Sequence, residues 1–430
     1  MLRLRRFGLA GLIAAATALA PIGGHLASAT TAAPVLKIAG NHFVTGSGGP
    51  TRIFAVHFGT SEYDCVEPLY NDARKKTFSI PTSDAAMQAI TTWHVNTIRI
   101  PLNEQCWLGV NPVKRYGQPD YHIKPLTGSA ATQAGAALRK TYRAAIKTVV
   151  HRAHSHGLAV ILDLHWSAAG KAIAFNQWPL PDRQYSIPFW RSVAKTFKSD
   201  HSMAFEIFNE PFRHNPGTGA LTLTWKCLRD GCTVPNACGD CGPTTSGDLN
   251  TKGCGNRCPH EDNPLGTYKS AGTQDLVDAI RATGAKQPIL VPGRTYTNDL
   301  SSWLEYMPHD PQHQLAATFH AYEGLSCDNT SCWDNQVAPV AAKVPVVTTE
   351  FGGDAHGEED PCTRLRDYDE AYMDWADSAG VSYGGFSWER DYFDYPAPRC
   401  DGYSMLAKWD GTPRYGHGRA IHDHFVAVAP

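Results

Sequence analysis

Residues 136–166, AALRKTYRAAIKTVVHRAHSHGLAVILDLHW, run from a helical pattern through a stop into a strand. Leu138, Tyr142, Ile146 and Val149 recur at spacings of three and four, which places them on one helix face, and Gly157 follows as a terminator. LAVILDLHW is an apolar run of strand length that ends in a histidine. Runs of the same kind recur as RIFAVHF, VNTIRIPL, MAFEIFNE, PILVPG, LAATFHAY, VPVVTTEF and VSYGGFSWE, with helix-like segments between most of them. Eight strand–helix alternations predict an α/β fold, a (β/α)₈ TIM barrel in a single domain. A doubly wound open sheet is the competing architecture, but no Gly-rich phosphate loop follows the first strand. VLKIAGNHFVTGSGG, ahead of the barrel, predicts a short hairpin.

Outside this repeat the chain has two distinctive segments. Arg3, Arg5 and Arg6, the apolar FGLAGLIAAATALA and the small residues Ala27-Ser28-Ala29 form a signal-peptide pattern over residues 1–29, leaving 30–430 as the mature domain. The apolar run is shorter than a membrane span needs, so the mature protein is expected to be secreted, extracellular and free of the membrane. Six of the twelve cysteines, Cys227, Cys232, Cys238, Cys241, Cys254 and Cys258, crowd into a Gly- and Asn-rich insertion after strand four, at about 212–266. CGDC followed by CGNRC has zinc-ligand spacing; export favours three disulfides stapling the loop instead. No second binding module and no small repeat is evident. With 42% hydrophobic residues, 19% charged residues and a net charge of -2, the composition is that of a globular protein without a polyanion-binding surface. Nucleic acid is excluded as a partner on that ground, and a monomer is expected.

Chemistry concentrates where the predicted strands end. Barrel enzymes place their catalytic groups at the carboxyl ends of strands, and here those ends carry Arg99, His165, Asn209, Glu210, His320, Tyr322, Glu350 and Trp388. Each alone has a structural explanation, as a helix cap or a satisfied core residue. A packed barrel gains nothing from gathering so many ionisable groups on one rim. Carboxylates at strands four and seven are what glycoside cleavage needs, one acid to protonate the leaving oxygen and one carboxylate to meet the oxocarbenium-like centre. Glu210 must then stay protonated, favoured by apolar surroundings and the charge of Glu350, while Arg99 and Tyr322 secure the charge on Glu350.

From AVHFGTSEY to FSWE, the chain resembles glycoside hydrolase family 5, the cellulase-type retaining β-glycanases of the four/seven barrel clan. The motifs NEP, HAY, TEFG and FSW occur in the family's order at matching strand ends. The resemblance implies Glu210 as acid/base and Glu350 as nucleophile, working without a cofactor or metal on a polysaccharide or oligosaccharide. It further implies that Asn209 binds the 2-hydroxyl of the sugar being cleaved, that Arg99 and Tyr322 hold the nucleophile, that His165 and His320 line the same subsite, and that Trp388 forms its stacking floor. Endo-β-1,4-glucanase activity is the first expectation. Exo action, mannan, xyloglucan or furanosidic substrates, and an inactive carbohydrate-binding barrel are the alternatives.

The cysteines on the first two loops depart from the family's usual pattern, and Cys65 is expected to pair with Cys106, Cys362 with Cys400 and Cys327 with Cys332. Six tryptophans in predicted top-face loops, Trp107, Trp166, Trp178, Trp225, Trp333 and Trp388, offer indole faces for sugar rings. His151, His154 and His156 have metal-like spacing but fall at a helix end on the opposite face. Asp163 and Glu206 point toward the barrel interior, where acids support the site by hydrogen bonds. A metal-dependent hydrolase would need a His-x-His pair at a strand end, and strand one has none.

Overall fold

The computed structural model describes residues 32–63, 65, 66, 77–113, 126–174, 177–213, 222–235, 267–353, 361–390 and 403–428. All eight predicted runs become strands of one closed parallel barrel: β1 (Phe54–His57), β2 (Thr97–Asn103), β3 (Ala159–Trp166), β4 (Met203–Glu206), β5 (Ile289–Pro292), β6 (Leu315–Tyr322), β7 (Val346–Gly352) and β8 (Ser382–Gly385). β8 returns to β1, pairing Tyr383 with Phe54. The helix read at 136–157 spans Gly128–Ser155, eight residues longer at its start, and buries Tyr142, Ile146 and Val149 as its spacing predicts. Other crossover helices include Asp84–Thr91, Ser186–Phe197, Thr273–Arg281, Pro361–Ala379 and His417–Val428. The barrel is the (β/α)₈ architecture, and the sequence alternation produced it because each strand is too apolar to leave uncovered.

Alternation along each strand sorts the core. Ile98, Ile100, Leu102, Val160, Leu162 and Leu164 pack outward under the helices. Ala55, Ile161, Ala204, Leu290, Ala316 and Val347 fill the inner floor at the amino ends of the strands. The predicted hairpin, Lys37–Ala39 with His42–Val44, adds a third strand at Pro50–Thr51 and closes that floor from below, its Leu36, Ile38 and Phe43 joining the same cluster. The Gln314 amide clamps it, accepting from Ile38 N at 2.8 Å and donating to Ile38 O at 3.0 Å. With the bottom filled, open space for a ligand lies at the carboxyl ends.

Two bulges reshape those ends. The register slips by one on β3 at His165, so that Leu102 faces Leu164 and Asn103 faces Trp166, and on β7 at Thr349, so that Phe319 faces Thr348 and His320 faces Glu350. A bulge re-aims side chains that strict alternation would send to the wrong face.

Disulfides Cys65–Cys106 and Cys327–Cys332 form as expected, and Cys227 pairs with Cys232. That last pair takes two of the six clustered cysteines into a disulfide at the base of the insertion, where Thr233–Val234 pairs antiparallel with Tyr268–Lys269. Cys238, Cys241, Cys254, Cys258 and Cys400 lie outside the described residues, and with Cys400 the expected Cys362–Cys400 pair, as does the signal-peptide pattern. Mass spectrometry of unreduced mature protein should find no free thiol among the cysteines. Stoichiometric zinc, with four thiols exposed on chelation, would instead assign the four outer cysteines of the insertion to a metal. Among the described residues no helix is long and apolar enough to cross a membrane.

Candidate active site

Arg99 organises the barrel mouth. Its side chain rises from β2 into the interior and is only 1% exposed. Its guanidinium makes four hydrogen bonds and a further ion pair: Nε donates to Glu206 Oε2 at 2.6 Å, Nη1 to Glu350 Oε1 at 2.6 Å and His57 Nδ1 at 2.9 Å, and Nη2 to Asn209 Oδ1 at 2.7 Å, while Asp163 Oδ2 pairs with Nη2 at 3.0 Å. Burial works against its charge, but Asp163, Glu206 and Glu350 outweigh that and raise its pKa well above the ordinary value. One guanidinium thus ties together side chains from β1, β2, β3, β4 and β7.

Around this node stand the two carboxylates of interest. Glu350 receives Arg99 on Oε1 and the Tyr322 hydroxyl on Oε2 at 2.9 Å. Glu210 Oε1 lies 2.6 Å from His320 Nδ1, and its Oε2 accepts from Gln177 Nε2 at 2.7 Å. Thr297 Oγ1 donates to the carbonyl of Asn209 at 2.6 Å and Tyr296 N to that of Pro211 at 3.0 Å, so the segment after β4 is anchored on both sides of Glu210. One carboxylate oxygen of Glu210 and one of Glu350 lie within 4.8 Å of each other.

The environments of these groups differ in sign. Burial pushes Glu210 above the ordinary carboxylate range, against the Gln177 hydrogen bond and the charges of His165 and Arg99. Burial also raises Asp163 to about 7 despite Arg99, and lowers His165 and His320 to about 4 each, so both rings are neutral near pH 7. Tyr322 is raised well above its usual value, by burial first and then by the Glu350 charge, and so remains a hydroxyl donor.

The structure brings Arg99, His165, Asn209, Glu210, His320, Tyr322 and Glu350 into this one cluster, and Asp163 and Glu206 lie beneath it on Arg99. Trp388 is not part of it. Expected as the stacking floor, it is 1% exposed and packs edge-on against Trp93 at 4.9 Å, in the apolar layer outside the barrel. Phe386 takes the mouth position, half-buried against His57 at 4.5 Å and within 6.4 Å of Tyr322. The wider tryptophan expectation is corrected as well: Trp107, Trp178, Trp225 and Trp333 are buried, and of the six only Trp166 stays half-buried, beside Tyr63 at 5.8 Å. His154 is bound to Asp200 at 2.9 Å and His156 lies 3.3 Å from Asp84, so each faces an acid that is not part of the cluster.

Sequence reading missed His57, Gln177, Thr349 and Phe386. His57 had a signal, as a polar residue ending the first strand; Gln177 sits on an irregular loop without one. Among the described residues, Glu210, His320 and Glu350 have ligand atoms close enough to hold a metal ion, within 4.8 Å. The Arg99 guanidinium 2.6 Å from Glu350 already supplies the positive charge there, and a dication beside it would be repelled.

The family described as Cellulase (glycosyl hydrolase family 5) matches residues 68–391. A solved β-glucanase from Saccharophagus degradans in complex with cellotetraose is 17% identical, with a TM-score of 0.58 over 93% of this chain and 95% of that one. A hyperthermophilic endocellulase from the archaeon Pyrococcus horikoshii is 15% identical, with a TM-score of 0.57 over 92% and 99%. The catalytic domain of a Thermobifida fusca endoglucanase is 14% identical, with a TM-score of 0.51 over 91% and 97%. At these identities the likeness is one of fold. No curated protein matches the chain.

Proposed function

Because the chain belongs to glycosyl hydrolase family 5 and is a glycoside hydrolase, we propose that it is a secreted retaining endo-β-1,4-glucanase with Glu350 as nucleophile and Glu210 as acid/base. The observation that carries this reading is the approach of the two carboxylates to within 4.8 Å. Retaining enzymes hold them about 5–5.5 Å apart, whereas inversion needs about 6.5–9.5 Å to admit a water. In the first step a Glu350 oxygen bonds to the anomeric carbon, the bond to the leaving oxygen breaks, and that oxygen takes the Glu210 proton. In the second, water gives a proton to Glu210, its oxygen bonds to the anomeric carbon, and Glu350 is released.

The surroundings support these roles. Arg99 and Tyr322 orient Glu350 through both oxygens. Arg99 holds Asn209 by Oδ1, and Nδ2, 3.4 Å from His165 Nε2, keeps a second N–H as the donor for the 2-hydroxyl of the bound sugar. Phe386 supplies an aromatic face at the mouth in place of Trp388. The family description and the cellotetraose bound by the Saccharophagus degradans β-glucanase favour a β-1,4-glucan substrate. Disulfides at the loops and the signal-peptide pattern favour secretion.

Anomer-resolved NMR of the earliest product from a soluble β-1,4-glucan should show the β-anomer. An α-anomer would mean inversion and remove the covalent intermediate. Product profiling on defined cello-, manno- and xyloglucan oligosaccharides tests the substrate choice, with internal cleavage of cello-oligosaccharides expected.

A further inference from the structure

We propose that Thr349 and Glu206 fix the tautomer of His320 and thereby hold the transferable proton on Oε1 of Glu210. This rests on Glu210 being the acid/base. The argument is an accounting of donors. Arg99 Nε can only donate, so Glu206 Oε2 accepts from it at 2.6 Å. Thr349 Oγ1, brought inward by the β7 bulge, donates to Glu206 Oε1 at 2.7 Å. Its one proton is then committed, so toward His320 Nε2, 3.0 Å away, it can only accept. Nε2 therefore carries the ring proton. Burial keeps the ring neutral near pH 7, which leaves Nδ1 bare, 2.6 Å from Glu210 Oε1. Two acceptors that close require a proton between them, and it is the one on Glu210.

Gln177 points the same way from the other oxygen. Its Nε2 lies 2.7 Å from Glu210 Oε2 and 3.3 Å from the Glu210 carbonyl, which cannot donate, so an NH₂ faces both and Oε2 is an acceptor. An ionised Oε1 facing a bare ring nitrogen is unfavourable. The relay therefore keeps Glu210 protonated before cleavage and draws a proton from the attacking water afterwards. The other titratable groups around Glu210 and His320 are Arg99 from β2, Asp163 and His165 from β3, Tyr322 from β6, Glu350 from β7 and His57 from β1. They are common to wild type and variants, so Thr349→Val isolates the relay by the limb; Glu206→Gln also removes a negative charge next to His320, and there the His320 tautomer is the deciding readout.

Both act through His320 and are positioning residues. Thr349→Val removes the acceptor for Nε2–H, freeing the ring to carry its proton on Nδ1 and donate to ionised Glu210. The alkaline limb of kcat/KM should move down by about one pH unit, a tenfold loss of proton affinity. Thr349→Ser should keep the limb in place. Glu206→Gln should reverse the whole chain, because the new NH₂ donates to Thr349, Thr349 to Nε2, and Nδ1–H to Glu210, so the limb moves the same way in a near-isosteric protein. Nitrogen-15 NMR of labelled histidine in the full chain, with His320 assigned by its loss in His320→Gln, should show Nε2–H in wild type and Nδ1–H in Glu206→Gln. A wild-type Nδ1–H tautomer, or an unmoved limb in both Thr349→Val and Glu206→Gln, overturns the relay. If the limb persists in Glu210→Ala, the acid/base assignment is what fails, while the tautomer measurement still decides the relay.

Discussion

Replacing Glu350 with alanine should abolish turnover of every substrate by several orders of magnitude, whatever the leaving group, because the proposed mechanism takes the attacking oxygen from Glu350 itself. Glu210→Ala should behave differently. On glucan, whose leaving alcohol needs a proton, it should lose about 10²–10⁴-fold. An aryl glycoside with an acidic phenol departs without protonation, so the first step survives and the glycosyl-enzyme accumulates. Azide needs no general base, and it should restore turnover of that substrate and give a β-glycosyl azide by attack on the α-linked intermediate. Steady-state kinetics with and without azide, and mass spectrometry of the trapped intermediate, check both variants. If the two respond alike to azide and to leaving-group acidity, the roles assigned to FNEP and TEFG are wrong even for an active enzyme.

Why these residues could be found in the sequence, and others could not, follows from the geometry of a barrel. Every strand was legible because an interior strand must be apolar, and a polar residue at its carboxyl end marks the mouth, as His165, Glu210 and Glu350 do. What lay beyond reach was anything decided after the strand ends or against its alternation. In β8 an added Cβ on Gly384 would meet Ala55 of the neighbouring strand and one on Gly385 would meet Met405 and Ile421 outside. The inward series thus continues to Phe386, while the strand itself stops at Gly385. Trp388 lies past that point, with its N bound to the His57 carbonyl at 2.8 Å and its ring against Trp93. Reading by chemistry chose the indole; Phe386 and Trp388 share one parity, and the end of the strand at Gly385 decides between them, leaving the phenyl ring at the mouth. On β7 the bulge puts both Thr349 and Glu350 to use at the site, which no period of two predicts. Gln177 follows β3 on a loop with no period at all, and only the fold reveals that its amide meets Glu210.

Arg99→Met should be the most damaging change outside the two carboxylates, and its effect should depend on pH in a particular direction. Asp163, Glu206 and Glu350 all bond to one buried guanidinium, at 3.0, 2.6 and 2.6 Å. Removing it leaves buried carboxylates without their cation, which typically costs about 3–5 kcal/mol. It also frees both Glu350 and Asn209, so activity should fall by at least about 10²–10³-fold even where the protein folds. Arg99→Lys retains the charge but has three donors on one point where five acceptors surround a planar fork, so it should recover part of the stability and little of the activity. The pH sense follows from linkage. Asp163 and Glu206 already have folded-state pKa values above their ordinary ones because of burial, partly offset by Arg99. Without Arg99 those values rise further, so the folded state holds more protons than the unfolded state above the ordinary carboxylate range, and stability falls as pH increases through that window. Denaturant titrations should therefore show a smaller deficit for Arg99→Met at pH 5 than at pH 8. A deficit that is equal at the two pH values, or larger at pH 5, would mean that Arg99 supports the barrel by packing and hydrogen bonding rather than by neutralising the acids beneath the site.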